Sequence, residues 1–210
     1  MEGHRWFAAI YERLNNVQEK SAAVQKIRKE IVGGARGRVL EIGAGTGASF
    51  PYYGDDVTEV AAVEPDPFML PKARARAEEI DKPIEVHHAP AEELPFEDDS
   101  FDTAVSTLVL CSVSNPQKAL SEIKRTLKPG GQLRVYEHVR YINRFGAFWQ
   151  DMIKPAWKWF GAGCNPNRDT AQHILDAGFE FESLRRISTV PPVPPMVFVR
   201  PHIIAVAKSI

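Results

Sequence analysis

Residues 39–50, VLEIGAGTGASF, decide the fold of this chain. The apolar run that opens them predicts a buried strand, and Gly43, Gly45 and Gly47 predict a tight turn directly after it. A side chain at the end of such a strand would hold a ligand away from the backbone, which gives glycine a physical reason here. Ligands of parallel sheets bind beyond the carboxyl ends of the strands. The stretch therefore predicts a nucleotide-binding turn at that edge.

The glycines alone leave two ligands open, as well as a tight turn that binds nothing. The letters GAGTGA fit the dinucleotide fingerprint, and Glu64 lies near the spacing expected of a ribose-binding acid. Glu41 favours S-adenosylmethionine, because a carboxylate two residues before the first glycine would neutralise the cationic amino-acid end of that ligand and repel a pyrophosphate. Glu64 ends the second predicted strand, where its carboxylate can accept hydrogen bonds from both ribose hydroxyls.

Strands and helices alternate along the rest of the chain, which predicts an α/β fold with a mostly parallel sheet and helices on both faces. The strands are expected at 38–42, 58–64, 84–89, 101–110 and 132–139, followed by a closing hairpin of 181–188 and 196–208. Helices are expected within 1–34, from a cap at Asp66, from a cap at Asn115 to Gly130-Gly131, and over 169–179. Pro71 is expected to remove one hydrogen bond from the second of these helices.

Composition predicts one soluble, cytoplasmic domain over residues 1–210. Lys and Arg number 26 against 27 for Asp and Glu, so no net charge favours nucleic acid as a partner. The two cysteines are too few for a disulfide framework, and neither a signal peptide nor an apolar run of membrane-spanning length is evident. Within the domain we expect lid helices over 1–34 and a core over 35–210 that carries an aromatic insertion at 141–165.

Four motifs in order resemble those of the class I S-adenosylmethionine-dependent methyltransferases: VLEIGAGTG, VEPDPFML, AEELPFEDDSFDTAV and LKPGGQL. The resemblance runs from Val39 to the C-terminus. It implies a Rossmann-like sheet of seven strands with the last one antiparallel, S-adenosylmethionine as cofactor and S-adenosylhomocysteine as product. It also implies a cofactor site of Glu41, Gly43, Ala44, Gly45, Gly47, Glu64, Pro65, Met69, Ala91, Glu92, Thr107 and Leu108.

The roles in this site follow the same resemblance. The glycines would line the methionine part, Glu64 would hold the ribose, Met69 would pack on the adenine and Thr107 would contact the methionyl amine. Ala91 and Glu92 would flank the adenine edge. Many relatives have an aspartate just before this alanine, where the present chain has Pro90, so either Glu92 or packing and backbone must hold the adenine amino group.

The second half of the chain resembles a narrower subfamily that includes animal membrane-associated thiol S-methyltransferases. The segments that carry this resemblance are 106–131, YEHV, 148–170 and VRPHIIAVA. It implies a small, apolar methyl acceptor, a thiol first and a phospholipid amine or quinone-type acceptor second. The rivals are an NAD-dependent oxidoreductase and a cofactor-binding module without turnover. The animal thiol S-methyltransferases of this subfamily carry an N-terminal hydrophobic anchor that we do not find in this sequence. We therefore expect at most a transient contact with lipid.

Two residues are candidates for the chemistry. His138 ends the fifth predicted strand and could serve as general base, or could instead be a hydrogen-bonded core or positioning residue. Tyr11 resembles a lid tyrosine of related enzymes, or anchors a surface helix. We expect no metal, because Cys164 is distant in sequence from Cys111 and from any metal-binding pattern.

The aromatic insertion is the remaining candidate. Phe145, Phe148, Trp149 and Met152 are spaced to form one apolar helical face. Most of these rings are expected to pack in the core. The alternatives are a roof over the acceptor or a surface that touches lipid.

Overall fold

A seven-stranded sheet runs through the computed structural model, which describes residues 22–161, 163–188 and 199–210. The strands are β1 Gly37–Ile42, β2 Val57–Val63, β3 Ile84–His87, β4 Phe101–Thr107, β5 Leu127–His138, β6 Phe179–Ser188 and β7 Pro201–Ser209. Their order is β3-β2-β1-β4-β5-β7-β6. Strands β1 to β5 pair in parallel, and β7 pairs antiparallel with both β5 and β6. The predicted Rossmann-like sheet, with its antiparallel last strand, is confirmed.

In the described part of the chain, five α-helices and one turn of 3-10 helix, Phe50–Tyr52, precede or connect the strands. The helices are α1 Ala22–Ile31, α2 Leu70–Glu78, α3 Pro116–Thr126, α4 Arg144–Phe160 and α5 Thr170–Asp176. Apolar side chains of the sheet and of the helices packed on it form two buried clusters, one on each face of the sheet. Leu40 and Ile42 of β1 point into the cluster that contains α3, while Val39 points into the one that contains α1. Because β1 is covered on both faces, its sequence is a nearly continuous apolar run.

Helix α2 begins later than the sequence suggested. Asp66 does act as a cap, since its Oδ1 accepts hydrogen bonds from the N–H groups of Phe68 at 2.7 Å and Met69 at 3.1 Å. These bonds close a turn over 67–69, and the helix itself starts at Leu70. Pro71 therefore lies in the first helical turn, where its missing N–H costs nothing. The expectation that Pro71 breaks a hydrogen bond is wrong.

Helix α3 ends earlier than expected. The cap at its start is confirmed, because the Asn115 side chain accepts a hydrogen bond from the Lys118 N–H at 3.0 Å. The helix stops at Thr126 rather than at Gly130-Gly131, and Leu127 is already extended, with φ −79° and ψ 137°. Pro129 disfavours helical geometry in the residue before it, which leaves the chain free to begin β5 early.

Gln150, on the buried side of α4, ties together the segments that follow β5. Its Nε2 donates to the carbonyl oxygens of Val139 at 3.2 Å and Pro166 at 3.0 Å, and its Oε1 accepts from the Tyr141 N–H at 2.8 Å. The side chain is fully buried. Because a buried polar group needs such partners, the amide fixes α4 relative to the end of β5.

Replacing Gln150 by methionine keeps the side-chain length and leaves three buried backbone groups without this partner. We expect the free energy of unfolding to fall by about 1–3 kcal/mol, measured by urea denaturation. The matched control is Gln172→Met. Gln172 is exposed on α5, and its side-chain amide donates a hydrogen bond to Asp176. Equal losses in the two variants would contradict the structural role of Gln150.

Candidate functional site

The glycine loop, residues 43–47, follows β1 at the carboxyl edge of the sheet. Gly43 has φ +62°, and a Cβ built on it would lie 2.5 Å from a Val109 methyl carbon. The loop therefore touches the segment after β4, with no room for a side chain between them. The N–H of Ala44 donates to the Val63 carbonyl at 3.0 Å, which fixes the loop to the end of β2. The loop lies where the strand order reverses between β1 and β4, at the edge where the sequence predicted a nucleotide-binding turn.

Glu64 lies directly after β2 and shapes the glycine loop. Its Oε2 accepts a hydrogen bond from the Gly45 N–H at 2.7 Å, and its Oε1 accepts one from the Asp66 N–H at 2.8 Å. The residue is only 5% exposed. Burial raises the pKa of this carboxyl to about 7, although both backbone hydrogen bonds lower it.

Glu41 is a second buried carboxyl beneath the same loop. The Tyr53 hydroxyl donates to its Oε2 at 2.6 Å. Burial raises the pKa of Glu41 to about 7, against the lowering effects of Tyr53, Ser49 and the more distant Arg28. A cation in the cleft would favour the charged form of both carboxyls, whereas a pyrophosphate would oppose it.

The residues predicted for the adenine side border the same edge. Met69 and Ala91 are buried, and Pro65 is half-buried. The Oε1 of Glu92 accepts hydrogen bonds from the N–H groups of Ser114 at 2.8 Å and Asn115 at 3.1 Å. Glu92 thus braces the start of α3, a contact that the sequence did not suggest.

The segment after β4 is held in an unusual conformation. Thr107 ends the strand, and Leu108 has φ 61°, which is strained for a residue with a side chain. The buried carboxylate of Glu137, on β5, holds the turn in place. Its oxygens accept the Ser106 hydroxyl and the N–H groups of the turn, Val109 at 2.8 Å, Leu110 at 2.9 Å and Cys111 at 3.2 Å.

Sequence reasoning missed Glu137 and also the group that we call the sulfur cluster, Cys111, His138 and Cys164. The two sulfurs share a hydrogen bond at 3.5 Å, and His138 Nδ1 lies 3.7 Å from Cys111 Sγ and 3.6 Å from Cys164 Sγ. The expectation that Cys164 is too distant in sequence to share a metal site is wrong. The fold brings it together with Cys111 and His138, which are remote from it in sequence.

The electrostatics of the sulfur cluster favour a thiolate. Hydrogen bonding from Cys111, and then from His138, holds the pKa of the Cys164 thiol well below its usual range in spite of burial. Both cysteines are buried and His138 is half-buried. The ring of His138 is 4.3 Å from that of His202 on β7, and burial lowers the pKa of His202 to about 3.

Helix α4 carries the predicted apolar face, but that face is not core. Phe145 is 75% exposed, Phe148 56% and Met152 60%. The expectation that most of these rings pack in the core is wrong, because the buried side of α4 is formed by Ala147 and Gln150. No helix in the part of the chain that the structure describes is long and apolar enough to cross a bilayer. Tyr11 and residues 1–21 of the lid predicted over 1–34 lie outside the described residues; residues 22–31 of it form α1.

The cleft fits S-adenosylmethionine better than a dinucleotide. Glu41 and Glu64 would offer negative charge to the positively charged sulfonium compound, and the half-buried Gly43 lies on the loop next to them. When bound, the cofactor supplies an activated methyl group. The residues that would hold it are those on the carboxyl ends of β1, β2 and β4.

Gly43→Ala should weaken the binding of S-adenosylhomocysteine by about tenfold or more, since a Cβ there meets Val109 and φ +62° costs about 1–2 kcal/mol for alanine. Isothermal titration calorimetry measures the affinity. Gly54→Ala is the matched control, because its Cβ would find its nearest neighbour at an ordinary 3.6 Å. Equal affinities in the two variants would mean that the glycine loop does not contact this ligand.

The raised carboxyl pKa values predict how stability depends on pH. In the ligand-free folded state Glu41 and Glu64 keep their protons up to about pH 7, whereas in the unfolded chain they lose them near 4.5. The folded state therefore binds more protons between these values, and the free energy of unfolding should fall as pH rises from about 4.5 to 7.

Glu41→Gln should flatten part of that slope in urea denaturation at several pH values. Each carboxyl contributes at most about 1.4 kcal/mol per pH unit. The control is Glu79→Gln, at the exposed end of α2, which should keep the original slope. A wild-type curve that rises across this window would contradict the assignment.

Comparison with known proteins agrees with this geometry. Residues 40–135 match the family model of a methyltransferase domain. Human thiol S-methyltransferase TMT1B is 38% identical over 181 residues, which are 83% of this chain and 72% of that protein. The phosphatidylethanolamine N-methyltransferase of Cereibacter sphaeroides is 38% identical over 104 residues, 49% of this chain and 51% of that protein.

Solved structures show the same architecture. A SAM-dependent methyltransferase from Thermotoga maritima superimposes with a TM-score of 0.68 at 26% identity, and the match covers 97% of each chain. This structural match and the extent of the similarity to TMT1B favour S-adenosylmethionine over a dinucleotide as the ligand of this fold. The chain belongs to the class I S-adenosylmethionine-dependent methyltransferases.

Proposed function

We propose that this enzyme transfers a methyl group from S-adenosylmethionine to the sulfur of a small, apolar thiol. The observation that carries the proposal is the extent of the similarity to human thiol S-methyltransferase, over 83% of this chain. The similarity to the phosphatidylethanolamine N-methyltransferase covers about half of it, at 49%. The cofactor-binding motifs are common to many methyltransferases, so similarity beyond them says more about the acceptor.

For this methyl transfer the protein must align the acceptor sulfur with the methyl group, exclude water and allow one proton to leave the thiol. An ordinary thiol has a pKa of about 8.5, so a modest stabilisation of the thiolate suffices near neutral pH. The imidazole of His138 is suited to promoting the loss of the thiol proton near neutral pH. No strong catalytic triad is needed, and the sequence predicted none.

We place the acceptor at the carboxyl ends of β4 and β5. The left-handed turn at Leu108, held by Glu137, brings the segment after β4 against the glycine loop through Val109. His138 ends the neighbouring strand, β5. In this proposal His138 promotes the loss of the thiol proton.

A panel of acceptors tests the function. The purified protein is incubated with S-adenosylmethionine and with alkyl thiols, aromatic thiols, primary amines, phosphatidylethanolamine vesicles and reduced quinones, and S-adenosylhomocysteine formation is measured. We expect turnover with thiols, greatest with apolar ones. Faster turnover of phosphatidylethanolamine or a quinol would replace the proposed acceptor. Cofactor binding without turnover of any of them would indicate a binding module.

His138→Ala should lower kcat for a thiol by about 100-fold, the typical contribution of an acid–base group, while the affinity for S-adenosylhomocysteine changes little. His173→Ala is the control, since His173 lies on α5 and contacts Gln117 through Nδ1 at 3.0 Å. Steady-state kinetics and calorimetry separate the two effects. Unchanged kcat at every pH between 6 and 9 would remove His138 from the reaction.

A further inference from the structure

The sulfur cluster has the composition and the size of a metal site. Among the described residues, Cys111, His138 and Cys164 are the group of histidine, cysteine and acidic side chains whose ligand atoms all lie within 4.8 Å of one another. A pair of sulfurs and an imidazole nitrogen are ligands that Zn²⁺ prefers. The cluster lies outside the residues that the cofactor motifs predicted.

The spacing of the three ligand atoms fits one tetrahedral ion. With Zn–S of about 2.3 Å and Zn–N of about 2.0 Å, tetrahedral angles place two sulfurs about 3.8 Å apart and each sulfur about 3.5 Å from the nitrogen. The distances here are 3.5 Å between the sulfurs, and 3.7 Å and 3.6 Å from Nδ1 to Cys111 and Cys164. A disulfide needs an S–S distance of about 2.05 Å, so the sulfurs would have to move closer to form one.

The backbone around each ligand is already fixed. The Cys111 N–H donates to Glu137 at 3.2 Å, and the Cys111 carbonyl accepts the Asn165 N–H at 2.8 Å. That second bond ties the loop of Cys164 to the loop of Cys111. The Thr170 hydroxyl donates to the carbonyl of His138 at 3.4 Å. Three separate segments thus meet without requiring the chain to rearrange, which is what a preorganised metal site needs.

Charge is consistent with a divalent ion. Two thiolates and one neutral imidazole around Zn²⁺ sum to zero, so the buried site carries no net charge when it is filled. Three protein ligands leave the fourth tetrahedral position open, as in zinc sites that act on a substrate rather than only stabilising the fold.

We propose that Cys111, His138 and Cys164 bind one Zn²⁺ and that the open position takes the sulfur of the acceptor thiol. The second half of this inference rests on the proposed function. Position supports it: Val109 lies against the glycine loop, and Cys111 is two residues further, so their Cα atoms are at most about 7.6 Å apart. The proposed metal would therefore be bound by the same short segment that contacts the glycine loop.

Binding at the open position deprotonates the acceptor. The R–SH proton passes to solvent, and the thiolate sulfur stays on the metal beside the methyl donor. When the new S–CH₃ bond forms, the sulfonium S–CH₃ bond breaks and its electron pair remains on the sulfur of S-adenosylhomocysteine. The thioether product is neutral and a weaker ligand than a thiolate, which allows it to leave. With Nδ1 on the metal, Nε2 of His138 would carry the proton, so His138 would promote the loss of the thiol proton as a metal ligand; the role of general base given above applies to the metal-free enzyme.

Metal content and spectroscopy test the site independently of activity. The full chain is purified under reducing conditions, stripped with a chelator, incubated with Zn²⁺ alone and analysed by inductively coupled plasma mass spectrometry. We expect one zinc per chain, and loss of it in Cys111→Ser, Cys164→Ser and His138→Asn. His173→Asn, the control, should keep it. X-ray absorption should show about two sulfurs at 2.3 Å and a nitrogen at 2.0 Å.

Cobalt replaces zinc as an optical probe of the open position. Co²⁺ bound to the wild-type chain should give thiolate-to-cobalt charge-transfer absorption, and a small thiol added without S-adenosylmethionine should shift it. This measurement needs no variant, so it holds even if a substitution prevents folding. A spectrum that lacks these bands, or a Cys111–Cys164 disulfide formed under reducing conditions, would overturn the metal site. A spectrum that thiols leave unchanged would overturn the open position.

The two proposals fail in different ways. If zinc binds in the expected stoichiometry but only amines or quinols are methylated, the proposed function is wrong and the metal site survives. If thiols are methylated at the same rate after the chelator has removed all zinc, the metal site has no part in the reaction and the proposed function survives.

Discussion

Two carboxyl groups buried beneath one loop constrain the cofactor side of this enzyme. Burying a carboxylate is costly unless hydrogen bonds and a positive charge compensate it. Glu64 has two backbone N–H groups and Glu41 has the Tyr53 hydroxyl, yet the pKa of each is raised to about 7. The charges of Arg28 and His88 lower the pKa of Glu41 and Glu64, respectively, but do not outweigh the effect of burial. A ligand that brought a cation into the cleft would lower the free energy of the charged form of both groups, whereas a phosphate would raise it.

The cofactor side could be predicted because its residues adjoin strand ends in the sequence. An acid, three glycines and a second acid follow directly from two apolar runs, and a parallel sheet brings such ends to one edge. The cap at Asn115 could be found in the same way, because it depends on neighbours three residues apart. Helix ends were less predictable. Pro129 and the pairing of β5 end α3 before the glycines that the sequence suggested.

The sulfur cluster could not be predicted because it is assembled by tertiary structure. Cys111, His138 and Cys164 are 27 and 26 residues apart, without the short spacing that reveals most metal sites. The pairing of β4 with β5, the position of α4 as held by Gln150, and the hydrogen bond from Asn165 to the Cys111 carbonyl bring them together. The apolar face of α4 shows a similar limit. Periodicity revealed that Phe145, Phe148 and Met152 share a side, but it does not tell which sides are covered.

The place of β7 in the sheet has a consequence for how the protein is made. Although it is the last strand in chain order, β7 lies between β5 and β6, and His202 pairs directly with His138. During synthesis the strands from β1 to β5 can associate as they leave the ribosome, but β5 keeps a bare edge until residues 201–209 emerge. The nascent chain thus exposes an unpaired strand edge that includes His138, and a molecular chaperone that shields this edge would favour folding over aggregation.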